Sequence, residues 1–86
     1  MSVQALDTSR NFEMLISEMI LYAIYDVRSS DGSIASEAKE WLTTDGPAWL
    51  RILGIDVQPI RFRTWVRDGC PLGGCLENHL NEKILD

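Results

Sequence analysis

Between Ala48 and Gly69 the chain reads AWLRILGIDVQPIRFRTWVRDG: a short apolar segment, a corner at Gly54, and a second, arginine-bearing segment closed by Gly69. Glycine ends helices and proline is tolerated only in a first helical turn, so this stretch divides into short pieces rather than one long element. Two helices joined at a tight glycine corner can present a nucleic-acid-reading helix, and they are also a common way of packing helices. The same stretch carries four of the eight Lys and Arg residues, namely Arg51, Arg61, Arg63 and Arg67.

The second segment fixes a choice of faces. Written as a helix, residues 60–67 place Phe62, Trp65 and Val66 on one side and Ile60, Arg63, Thr64 and Arg67 on the other. Burying the first group displays an Arg63/Arg67 pair one turn apart and leaves Ile60 only partly covered. The rival reading is a strand, because IRFRTWV begins with apolar and basic residues in alternation and is rich in β-formers. The helix is preferred: Asp56 is a candidate cap, Pro59 falls in the first turn, and Gly69 follows at an ordinary helix length.

The remaining chain also reads as helical. Phe12, Leu15, Ile16, Met19, Ile20, Ala23 and Ile24 follow helical spacing after possible caps at Asp7, Thr8 and Ser9. Met14, Leu21 and Tyr25 put apolar side chains on the other side, so this helix is either central in the fold or the seam of a dimer. A polar turn from Arg28 to Ser33 leads to a second helix with Ile34, Ala38, Trp41 and Leu42 as its stripe and Ser33 as its candidate cap. Asp45 is a candidate cap for a third helix from Pro47 to Leu53. Residues 70–86 form a breaker cluster, CPLGGC, and a short final helix expected to fray, with Leu76, Leu80 and Ile84 at helical spacing. The expected fold is therefore a single all-α domain over residues 1–86. It has four or five short helices, a helix-turn-helix-like second half, and a core of Phe12, Leu15, Ile16, Met19, Ile20, Trp41, Leu42, Leu50, Leu53 and Val66.

Eighty-six residues support a core covering only about two-thirds of the chain's surface, which makes a homodimer the expected way to gain stability. The longest apolar stretch, Met14 to Ile24, contains Ser17 and Glu18 and is flanked by Glu13 and Asp26, so no membrane span is expected. The N-terminus lacks a basic region followed by an apolar run and a cleavage site, which points to the cytoplasm. There Cys70 and Cys75 stay reduced. The net charge of −5 is uneven. Eight acids oppose Arg10, Arg28 and Lys39 up to Gly46, whereas the four arginines between Pro47 and Gly69 oppose only Asp56 and Asp68. A local basic strip can grip phosphates even on an acidic body.

Arg61, Arg63 and Arg67, with Thr64 between them, are the candidate nucleic-acid-binding residues, because guanidinium forks match phosphate oxygens and guanine edges. The competing reading is that these arginines neutralise Glu13, Glu18 or Glu40 within the fold or across a dimer. Trp49, Phe62 and Trp65 are candidate partner-binding anchors, since aromatic residues and arginine dominate interface hot spots. Cys70, Cys75 and His79 are spaced Cys-x4-Cys-x3-His, one ligand short of a structural zinc site, so no metal or other cofactor is expected. A lone histidine without a nucleophile elbow, paired carboxylates or a glycine-rich phosphate loop argues against an enzyme.

The segment SEAKEWLTTDGPAWLRILGIDVQPIR, about a third of the chain, resembles small uncharacterised phage and prophage proteins. Their pattern is an EAxxWL helix, a Ser/Asp turn, a second apolar helix, and a Gly-Leu-Asp-Pro-like corner followed by Val-Arg. Glu37, Ala38, Trp41, Leu42, Asp45, Leu53, Gly54, Ile55, Asp56, Ile60 and Arg61 fit it. Gly46-Pro47 departs from it, as does a proline at position 59 rather than directly after Asp56. The resemblance implies a mobile-element origin and a helix-turn-helix-like fold, and transfers no activity or site residue. The expected function is a regulatory module contacting duplex DNA through residues 60–67. The alternative is an adaptor or inhibitor that binds a host protein through an acidic or tryptophan-bearing surface.

Overall fold

A computed structural model describes the backbone of residues 2–73 and 75–85, and side chains within 11–73 and 76–84. Regular structure among the described residues is entirely helical: α1 (Ser2–Val27), α2 (Gly32–Thr44), α3 (Gly46–Ile52), α4 (Pro59–Arg67) and α5 (Cys75–Leu85). The first glycine is Gly32 and the first proline Pro47, so nothing interrupts α1 for its 26 residues. At about 1.5 Å per residue it spans roughly 39 Å, most of the molecule's 46 Å long axis. Its backbone is already helical at Ser2, so the helix begins before the expected caps; the side chains of Asp7, Thr8 and Ser9 lie outside the described residues.

The short helices are set by backbone chemistry at their ends. Asp31, in an extended conformation, accepts from the Ser33 and Ile34 amides at 2.9 and 3.4 Å and caps α2, a role expected of Ser33. A carboxylate there also meets the positive end of the helix dipole. Asp45 does not cap α3, because its αR backbone continues α2 almost directly into Gly46 and Pro47. Gly54, at φ +77, closes α3: Ile55 donates to the Leu50 carbonyl at 2.9 Å and Gly54 to that of Arg51 at 3.0 Å. The same paired hydrogen bonds recur at the end of α4, where Gly69 has φ +93 and Cys70 and Gly69 donate to the Trp65 and Val66 carbonyls. These are the double hydrogen bonds of the left-handed helix terminus that favours glycine. Asp56 lies too early to cap α4; Gln58 occupies that position without a side-chain bond, and Pro59 starts the helix.

The core gathers Ile16, Ile20, Leu21, Ile24 and Val27 of α1 with Ala38, Leu42, Leu50, Leu53, Phe62, Val66, Cys70 and Leu80. Six of the expected core residues are there, and Trp41 packs against them partly buried. Phe12, Leu15 and Met19 are corrections: they are 52%, 64% and 37% exposed. Two apolar stripes run along α1, and α2 and α5 pack over the one centred on Ile20 and Ile24. Among the described residues of α5, Leu80 is fully buried and Leu76 and Ile84 pack on the core.

One polar contact ties three segments together. The Nε of Arg28, just past α1, donates to the Cys70 carbonyl at 2.8 Å, while its guanidinium pairs with the Glu77 carboxylate on α5. The pairing raises the arginine's already high pKa. Beside it, burial pushes the Cys70 thiol up to about 11, with the positive charge of Arg28 opposing. Arg28→Ala is expected to lower unfolding free energy by about 1 kcal/mol, a charge-assisted hydrogen bond partly screened by solvent, as measured by urea denaturation. With Cys75 replaced by serine, Cys70 is expected to react with a thiol reagent at neutral pH only as fast as the chain unfolds. Because the folded thiol titrates at about 11 rather than its ordinary 9.0, its contribution to stability is full below pH 9.0 and is lost as pH rises through about 11. The urea midpoint of wild type against Cys70→Ala across that range checks the sign.

The arginine face of α4 as candidate functional site

The nine residues of α4 settle the choice between helix and strand, and the faces divide as the helical spacing requires. Phe62 is 6% exposed and Val66 fully buried. Arg61, Arg63 and Arg67 are exposed, Thr64 is half-buried, and Ile60 is 80% exposed. The reason is local: α4 packs on α2, Phe62 reaches the α2–α3 junction, and Gly46 there leaves room for its ring at 3.5 Å from where a Cβ would stand. An alanine Cβ at position 46 would rest on the ring in ordinary van der Waals contact, and only a bulkier side chain would press against it.

The three arginines are not one cluster. Helical geometry sets Arg63 and Arg67 on a common flank beside α2 and turns Arg61 roughly 160° from Arg63 around the axis. The α2 flank borders an open groove of about 610 Å³ lined by Lys39, Glu40 and Thr43 of α2 and Ile60, Arg63 and Arg67 of α4. Lys39, counted above among the few basic residues of the acidic first half, therefore joins the arginine pair. Ion pairs among the described residues are Arg28–Glu77 and Lys83–Glu13, the latter at 3.8 Å, so no described carboxylate is paired with Arg51, Arg61, Arg63 or Arg67. Glu40 shares the groove and reduces its positive potential without engaging either arginine in an ion pair.

The candidate aromatic anchors fare differently. Phe62 is core, beside Gly46 at the α2–α3 junction, so its candidacy as a partner-binding anchor is corrected by its burial. Trp65 is half-buried, lies 6.3 Å from the Phe62 ring, and donates from its indole N–H to the Pro71 carbonyl at 3.0 Å. It thereby fastens the following loop while keeping one edge in solvent. Trp49 is half-buried against the core. The corner between α3 and α4 spans residues 53–58, longer than the turn of about three or four residues in helix-turn-helix motifs.

Of the candidate metal ligands, Cys70 is fully buried and His79 exposed on α5, while the side chain of Cys75 lies outside the described residues. Among the described residues no three His, Cys, Asp or Glu side chains gather as a metal site. No helix among them is long and apolar enough to cross a membrane. No protein-family model matches the chain, and neither the curated proteins nor the solved structures provide a match.

The face and its support separate energetically. Arg63→Ala and Arg67→Ala are each expected to change unfolding free energy by less than about 0.5 kcal/mol, whereas Phe62→Ala removes a buried ring and costs about 3–4 kcal/mol. Urea denaturation of the three variants measures the contrast.

Proposed function

We propose that this protein is a small cytoplasmic regulatory module that contacts duplex DNA through α4, a binding protein rather than an enzyme. The observation that supports it is the exposure of Arg61, Arg63 and Arg67 with no described carboxylate paired to any of them. Guanidinium forks at Arg63 and Arg67, one turn apart, suit phosphate oxygens or a guanine edge, and the Thr64 hydroxyl adds a donor. Ile60 supplies an apolar surface of the kind that meets a thymine methyl. Arg61, on the other flank, reaches a separate phosphate. At about 1.5 Å per residue α4 is roughly 13 Å long, comparable with the width of a major groove, about 12 Å, which admits an α-helix. The resemblance of residues 36–61 to phage and prophage proteins implies a mobile-element origin and adds nothing about activity.

The body's net charge of −5 opposes DNA, so attraction is local and sensitive to salt. Three neutralised phosphates give a slope of log K against log salt of about −2.7, or roughly a 40-fold loss of affinity from 50 to 200 mM salt. A second reading, a protein partner without nucleic acid, draws support from Ile60: an 80% exposed aliphatic side chain in a groove bearing both signs of charge also fits a protein helix.

The experiment is a titration against a mixed-sequence duplex at low and then moderate salt, read by tryptophan fluorescence beside an electrophoretic shift. Micromolar, salt-sensitive binding is expected, with Arg63→Ala and Arg67→Ala each lowering affinity and flattening the salt slope by about 0.9. Absence of binding at low salt, or binding indifferent to both substitutions, overturns the DNA reading in favour of a protein partner.

A further inference from the structure

The stripe of α1 that the fold leaves uncovered has its own order. Phe12, Leu15, Met19 and Tyr22 are 52%, 64%, 37% and 63% exposed and follow one another at intervals of three, four and three. That is the spacing of a coiled-coil seam. The seam lies opposite Ile20 and Ile24, so no part of the core competes for it. Beside its C-terminal half runs a groove of about 370 Å³ between α1 and α2, lined by the apolar Met19, Tyr22, Ala23, Ile34 and Trp41 together with the carboxylates Asp26 and Glu37. Ile34 there is 43% exposed and widens the apolar patch.

We propose that this face is a homodimer interface: α1 pairs with α1 of a second copy, antiparallel about a two-fold axis that passes between Leu15 and Met19. Three observations select a second copy. The first is area. Five apolar side chains, each of roughly 200 Å² and about half exposed, offer about 500 Å² per chain. Two such faces bury about 1,000 Å², the size at which a specific interface begins, and one is of the size, roughly 300–600 Å², of the largest and often functional patch on a small protein. The second is self-complementarity. Antiparallel pairing sets Phe12 against Tyr22 and Leu15 against Met19 in both directions, and it brings each Phe12 to the mouth of the other copy's α1/α2 groove, filling a hollow with a ring. The third is charge. The next seam position after Tyr22 is Asp26, which is exposed. A parallel pair would bring two Asp26 carboxylates together, and the antiparallel pair sends them to opposite ends.

The seam shares no residue with the α4 face, so this inference and the DNA reading stand or fall separately. The test is sedimentation velocity of the full chain on the order of 100 µM. The expected mass is twice the 9.7 kDa of one chain, and Leu15→Glu is expected to return it to one chain while far-ultraviolet dichroism and the urea midpoint at low protein concentration hold, since Leu15 is exposed in the single chain. Should Leu15→Glu unfold, the Phe12→Cys/Tyr22→Cys variant in a Cys75→Ser background decides. Mild oxidation is expected to give a covalent dimer with the double variant and none with Tyr22→Cys alone, whose two copies sit roughly 15 Å apart along the seam. A wild-type chain that sediments as a monomer at that concentration, a dimer that survives Leu15→Glu, or equal crosslinking by Tyr22→Cys alone overturns the proposal.

Discussion

The shape of this protein follows from a mismatch between one long helix and a short chain. Helix α1 is 26 residues long and apolar on two sides, and the other four described helices together can cover only one of them. α2 and α5 lie against the Ile20/Ile24 side, and α3 and α4 add Leu50, Leu53, Phe62 and Val66 to the same core. Small domains bury a modest fraction of their surface, and here α1 carries a full stripe of the exposed apolar side chains, with Ile52, Ile60 and Leu72 exposed singly elsewhere.

The second half solves a related problem at smaller scale. Two glycine termini with positive φ, Gly54 and Gly69, end α3 and α4 cleanly and turn the chain back. Within α4 the core takes Phe62 and Val66, and the 3.6-residue period then leaves Arg63, Arg67 and Ile60 nowhere to go but outward. The exposure of the arginines is thus a consequence of packing, and their lack of a described carboxylate partner leaves them available to a polyanion. Arg28 is the opposite case. It stands in a polar turn, yet it joins α5 and the loop after α4 to the end of α1.

Much of this was legible beforehand. The all-helical class, the phase of residues 60–67 and the glycine ends all rest on local rules: hydrophobic period, helix termination and proline placement. Three things were not. Helical spacing grouped Phe12, Leu15 and Met19 with Ile16, Ile20 and Ile24 on one broad stripe of α1, and the partner helices cover only the Ile16/Ile20/Ile24 part of it, together with Leu21 from the side read as the other. Caps at Ser33, Asp45 and Asp56 were expected from residue type, but a cap also needs an extended backbone one residue before the helix, which Asp31 has and Asp45 lacks. The Arg28–Glu77 pair links residues far apart in the chain, and no periodicity signals it. Within the candidate site, the burial of Phe62 and the exposure of Arg63 and Arg67 could be read from phase, whereas the inclusion of Lys39 needed the placement of α2.

The proposed two-fold pair through α1 would carry two copies of α4, the arrangement that symmetric DNA sites are matched to. The central claim remains that α4 is the surface that meets nucleic acid. It is tested most directly by following backbone amide resonances of the isotope-labelled protein while a mixed-sequence duplex is added at low salt. The account predicts that shifts concentrate in residues 59–67 and in the facing residues 39–44 of α2, and that they reverse when salt is raised. Shifts confined to α1 or α5, or none at any duplex concentration, would contradict it.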